Sequence, residues 1–104
     1  MSHLLISKYA LRSARYQNST MIDICDIQLI GTRLEQEGLI INLSKEYYQQ
    51  EIIEKSRARE LLKICSIANL VGKQIVELAL ELGLAKRVSV KMIAGVPFLM
   101  IYKF

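Results

Sequence analysis

Residues 56–84, SRARELLKICSIANLVGKQIVELALELGL, decide how the rest of the chain is read. Over residues 57–68, Leu61, Ile64, Cys65 and Ala68 recur at i, i+3, i+4 and i+7, the spacing of one apolar helix face. Ser56 stands where a side-chain oxygen would cap the first turn. Asn69 and Gly72 interrupt the pattern, which resumes over residues 73–82 with Ile75, Leu78, Ala79 and Leu82. Gly83 falls where a helix end favours a left-handed residue, and Leu84 supplies the apolar contact that usually follows. The segment therefore reads as two consecutive helices joined by a tight connection at Asn69–Gly72.

On either side the period shortens from that of a helix to that of a strand. HLLISKYALR, residues 3–12, leans toward a strand with Leu4 and Ile6 on one face and Leu5 on the other. RSARYQNST, residues 12–20, is the most polar stretch and reads as a loop. In MIDIC, Ile22 and Ile24 alternate with Asp23, the pattern of a half-buried strand. Residues 32–35 and 39–43 form an expected hairpin around Gln36-Glu37-Gly38, and Ser44 can cap a short helical turn. After the helices, Val88, Val90 and Met92 alternate with Ser89, Lys91 and Ile93, and AGVP turns the chain into FLMIYKF. There Phe98, Met100, Tyr102 and Phe104 share one face, with Leu99 and Ile101 on the other. Strands, two helices, then strands make an α+β protein. The expectation is one small domain over residues 1–104, with an antiparallel or mixed sheet packed on two consecutive helices.

The chain has 104 residues, 52% of them hydrophobic and 23% charged, which excludes a disordered, collagenous or low-complexity protein. No apolar run approaches the ~18 residues of a membrane span, and residues 1–16 lack a signal-peptide core and cleavage site. A cytoplasmic location without membrane contact is the expectation. Cys25, Cys65 and His3 cannot assemble a four-ligand zinc set, and both cysteines read as core residues. Neither a metal nor another cofactor is expected. No GxSxG, HExxH, Walker or GxGxxG pattern is present. Glu35 and Glu37 have the spacing of paired carboxylates but sit in the expected turn, where exposed acids are common. The sequence therefore reads as non-enzymatic, with no small-molecule substrate apparent.

Charge is distributed unevenly. Residues 1–20 carry Lys8, Arg12 and Arg15 without an acid; residues 83–104 carry Lys86, Arg87, Lys91 and Lys103, also without one. The middle is net acidic although the whole chain is +4. Two acid-free basic ends point to a polyanionic partner, and as strands of one sheet they would form a single phosphate-binding face. Lys73 at the start of the second helix adds a cation beside free backbone amides that could receive a phosphate oxygen. Tyr16, in the polar basic stretch, is placed for stacking with an RNA base.

CDIQLIGTRLEQEGLIINLSKEYYQQEII, IANLVGKQIVELALELGL and VKMIAGVP together resemble the archaeal family named domain of unknown function 424, over roughly residues 20–98. The resemblance rests on Cys25-Asp26, Leu29-Ile30-Gly31, Ser44 to Tyr48, Ala68 to Gly72, and Gly95 to Pro97. It implies an archaeal cytoplasmic protein linked to RNA and to translation. Two positions depart from the pattern: Ala94 stands where a second glycine is expected, and Phe98 where a histidine is.

The functional expectation is a non-enzymatic RNA-binding accessory protein of archaeal translation, in contact with ribosomal RNA and with ribosomal proteins. Lys8, Arg12, Arg15, Tyr16, Lys73, Lys86, Arg87, Lys91 and Lys103 would form the RNA interface. The alternative is an interaction or homodimerisation module that uses the apolar terminal strand, with Leu99, Ile101 and Phe104 exposed for pairing. About seven phosphate contacts would make RNA affinity fall by orders of magnitude between about 50 and about 200 mM salt.

Overall fold

The computed structural model describes residues 7–103, so residues 3–6 of the strand expected over 3–12, His3 among them, and Phe104 lie outside the described residues. The chain runs β1 (Lys8–Tyr16), β2 (Ser19–Asp26), β3 (Arg33–Gln36), β4 (Leu39–Asn42), α1 (Lys45–Tyr48), β5 (Glu51–Glu54), α2 (Lys55–Ile64), β6 (Ile67–Val71), α3 (Lys73–Glu81), β7 (Lys91–Ile93) and β8 (Val96–Tyr102). Six strands form one sheet in the order β5-β1-β2-β6-β8-β7, and β3-β4 forms a separate hairpin. Only the β2–β6 pairing is parallel, so the main sheet is mixed and the α+β expectation stands.

The expected hairpin is present, with Glu37 and Gly38 both at positive φ as a tight two-residue turn requires. Ser44 caps α1 by accepting the Tyr47 amide at 3.2 Å. At the end of α3, Gly83 takes φ 73° and the Leu84 amide reaches back to the Ala79 carbonyl at 3.1 Å, the closing bond of a Schellman motif.

Three expectations change. The polar stretch over residues 12–20 is not a loop: it is the end of β1, a two-residue turn and the start of β2, paired from Tyr9↔Asp26 to Tyr16↔Ser19. Ladder hydrogen bonds come from the backbone, so a polar strand end pairs as well as an apolar one. The first central helix ends at Ile64, and residues 67–71 form a strand between α2 and α3. Ile67–Val71 is a short apolar run that fits a buried strand as well as a helix turn, and pairing on both sides decides it. The helices are therefore not consecutive. The buried stripe is Ala58, Leu61, Leu62 and Cys65, whereas Ile64 is 71% exposed; Glu54, not Ser56, occupies the N-cap position.

The third change concerns β8. Leu99 and Ile101 are 3% and 5% exposed, buried in the core between the sheet and the helices. Their side chains form no exposed partner surface; on the β8 backbone, β6 pairs along Phe98–Tyr102 while β7 covers only Val96–Phe98. The exposed residues of β8 are Met100 and Tyr102, on the opposite face.

The two faces of the sheet are covered unequally. Both α2 and α3 pack over one face, closing a core around Tyr9, Ile22, Ile24, Leu62, Leu70, Ile75 and Leu78. On the other face, residues 27–50 fold over one end only, enclosing Cys25, Leu34, Leu43 and Val71. The joint between β2, β6 and α3 is held by Asp26. Its Oδ2 accepts the Gln74 amide at 2.8 Å and its Oδ1 the Ile75 amide at 2.9 Å. Gly72, at φ 119°, lies so close that a Cβ there would sit 2.4 Å from the Asp26 carboxyl carbon, and its amide donates to the Pro97 carbonyl at 2.9 Å.

Two stability outcomes follow from these positions. Gly72→Ala combines a clash with a forbidden dihedral and should lower unfolding free energy by about 3 kcal/mol or more. Ala94, at φ 50°, occupies a left-handed turn position. Ala94→Gly should raise stability by about 0.5–1 kcal/mol, because it relieves left-handed strain on a β-carbon. Urea denaturation of both variants checks the pair; a neutral Gly72→Ala or a destabilising Ala94→Gly contradicts the backbone geometry.

Candidate functional site

Where the 27–50 segment stops, the sheet is left uncovered. Strand register places Arg12, Asp23, Asn69 and Met100 in one row across β1, β2, β6 and β8, at the margin of that face, where Tyr47 of α1 still covers Arg12 and Asp23 and Met100 stands exposed. Neighbouring strands lie about 4.8 Å apart, so the row presents a guanidinium, a carboxylate, an amide and a thioether in succession. The next row outward is Ala14, Met21, Ile67 and Tyr102. Tyr16 shares this face at the hairpin end and is 68% exposed.

Asp23 is 7% exposed, and a carboxylate so buried must be compensated. The Arg12 guanidinium donates to its Oδ2 at 3.3 Å, and the Tyr47 hydroxyl donates to the same oxygen at 3.3 Å. Arg12 also lies over the Tyr47 ring, 4.6 Å from its centre. Capping by Ser44 fixes α1, so Tyr47 projects to this triad while Tyr48, edge-on to it at 4.8 Å, packs on the cluster around Cys25. A cleft of about 510 Å³ opens between α1 and β7, with Asp23, Asn69 and Met100 among its lining residues and Lys91, Ser89 and Phe98 on the β7–β8 side.

Of the cations expected at an RNA interface, Lys91 lines this cleft and Arg12 adjoins it through its contacts with Asp23 and Tyr47. Lys8 pairs across to Glu54 in a row beyond Ala10, toward the covered end. Arg15 alternates to the helix-covered face and lines a groove with Arg57 of α2. Lys103 donates its ammonium to the Leu62 carbonyl of α2, and Arg87 makes two 2.9 Å bonds to Glu77 of α3, holding that carboxyl below its ordinary range. Lys86 precedes Arg87 on the same loop. Lys73 opens α3, but the amides behind it are taken by Asp26, so no phosphate site remains there. The basic ends share a sheet, not a face, and the single phosphate-binding surface expected from the sequence is not formed.

Asp23 and Asn69 were the residues least visible in sequence. The alternation in MIDIC sets Asp23 opposite the core isoleucines, whereas Asn69 reads as a turn residue as long as ANLVG reads as a helix junction. Among the described residues, no group of three or more His, Cys, Asp or Glu is placed to hold a metal ion, and no helix is long and apolar enough to cross a membrane.

Elsewhere, ionisable groups are shifted by burial. Cys25 and Tyr48 are each pushed up to about 12, chiefly by desolvation, and Cys65 is raised for the same reason. Desolvation also raises Asp26, against the two amide bonds that pull it down. A thiol or phenol raised in the folded state is harder to ionise there than in the unfolded chain. The contributions of Cys25 and Tyr48 are thus complete below about pH 9 and are lost as pH climbs toward 12. Unfolding free energy should fall over that alkaline range, and at pH 8 both thiols should react with Ellman's reagent only as fast as the protein unfolds. Rapid labelling of the native protein would contradict their burial.

No curated protein matches the chain. Its fold is similar to the crystal structure of an uncharacterized conserved protein from Methanopyrus kandleri: TM-score 0.76 and 22% sequence identity, covering 91% of this chain and 90% of that one. At that identity the likeness shows the fold alone. The family model described as "Protein of unknown function (DUF424)" matches residues 14–104, nearly all of the structure built above, and the chain belongs to that family.

Proposed function

We propose that this is a non-enzymatic RNA-binding accessory protein of the archaeal translation machinery, working in the cytoplasm and holding unpaired ribosomal RNA on its open sheet face. The observation that carries the reading is the uncovered half of the sheet, where Tyr16, Met100 and Tyr102 stand 68%, 54% and 59% exposed beside Arg12 and Lys91. Exposed aromatic rings on a sheet are stacking platforms for unpaired bases, and each stacked base contributes about 1–3 kcal/mol. With Arg12 and Lys91 the cations placed beside the cleft among the described residues, stacking supplies most of the affinity and phosphate contacts the remainder. That balance differs from the clamping by seven cations that charge distribution alone implied.

The test is fluorescence anisotropy with a single-stranded RNA octamer and a duplex of equal length over a salt series. Single strands should bind better, with a logarithmic salt slope of about −1.5 instead of the roughly −5 that seven contacts would give. Tyr102→Ala should weaken binding by about fivefold or more, and Arg12→Glu should weaken it too, while Arg87→Glu, on the opposite side, should leave it unchanged. Absence of single-strand binding up to about 100 µM protein in low salt, where even non-specific contacts register, would overturn the proposal.

A further inference from the structure

The cleft beside the Arg12–Asp23–Asn69–Met100 row has a polarity that a stacking platform alone does not need. Asp23 Oδ2 is satisfied by Arg12 and Tyr47, and among the described residues no side chain engages its Oδ1 or the Asn69 amide. Both residues line the cleft, paired in register on adjacent central strands, with Lys91 across from them and apolar surface from Tyr47, Phe98 and Met100 around them. A mostly apolar concavity with a few convergent polar groups is the form of a small-ligand site.

We infer that this cleft is a pocket for one unstacked guanine base, an inference that rests on the RNA-binding reading. A carboxylate held by an arginine is an acceptor only, so it favours a base edge that presents N–H groups. The guanine Watson–Crick edge runs acceptor, donor, donor: O6, N1–H, N2–H₂. Asp23 Oδ1 takes the donor end, the Asn69 amide, which both donates and accepts, takes the centre, and the Lys91 ammonium reaches O6. Adenine and cytosine each present a single exocyclic donor beside a ring acceptor, and uracil sets two carbonyls around one N–H, so each leaves the carboxylate facing fewer donors or an opposing lone pair. The aromatic and thioether surfaces of Tyr47, Phe98 and Met100 supply contact for the base faces. A site that pairs a base edge in two places discriminates against the wrong base by about tenfold or more.

The test titrates ¹⁵N-labelled full-length protein separately with GMP, AMP, CMP and UMP, following the Asn69 side-chain amide. GMP should move that signal and saturate at concentrations about tenfold below the other three. Asp23→Asn should abolish the preference; Asn69→Ala should weaken GMP while the thermal transition shows the protein still folded, which covers the case in which Asp23→Asn fails to fold. Equal response to all four nucleotides, or GMP shifts confined to α2 and α3, would overturn the inference. RNA octamers with and without one guanine separate the two claims. Equal affinity for both octamers removes the guanine pocket and leaves the platform; GMP uptake with no octamer binding removes the platform and leaves the pocket.

Discussion

The Asp26 carboxyl beneath the first turn of α3 is the contact on which the architecture depends. It binds the Gln74 and Ile75 amides, two of the groups a helix start leaves without partners, and so ties the end of β2 to the strand–helix turn that follows β6. The approach is close enough that Gly72 can carry no side chain, and the Gly72 amide fastens the same turn to Pro97 at the start of β8. Three central strands and one helix meet at a point held by three hydrogen bonds. Cys25-Asp26, Ala68 to Gly72 and Gly95 to Pro97, the stretches that carry the family resemblance, converge there, so much of that resemblance encodes a joint.

This joint has a functional corollary. With α3 anchored on one side by Asp26 and the 27–50 segment packed on Cys25 and Val71 on the other, the covered end of the sheet is fixed, and cover thins out across the row of Asp23 and Asn69 toward exposed Met100 and Tyr102. Asp23 and Asn69 sit on the central strands β2 and β6, where flanking ladders fix backbone position on both sides. Side chains placed that way present a preorganised surface at little entropic cost. Two of the cations on loops and strand ends are instead absorbed in local ties, Arg87 to Glu77 and Lys103 to Leu62.

How far the sequence was legible depended on whether a signal was local. The β3–β4 turn, the Ser44 cap and the Gly83 helix end are written in a few adjacent residues with one physical solution each, and all three are found as read. Residues 67–71 have two solutions, and only pairing with β2 and β8, more than twenty residues away in sequence on each side, selects the strand. The same ambiguity hid Asn69, whose role depends on facing Asp23 across that pairing. Face assignments failed for a related reason. The alternation along β8 was plain, but which side meets the helices is set by α2 and α3, so Leu99 and Ile101 went inside and Met100 and Tyr102 outside. Charge counting could show that both ends are basic, not that strand parity and helix contacts would turn their cations to different sides.

The central claim, that RNA lies on the less covered half of the sheet, is tested most directly by ultraviolet cross-linking of the protein in lysate of its native cells, followed by mass spectrometry of the RNA-linked peptides. The account predicts nucleotide adducts on the peptides that carry Tyr16, Met100 and Tyr102, recovered with ribosomal RNA. Adducts confined to peptides of α2 and α3, or an abundant protein recovered with no linked RNA, would contradict it.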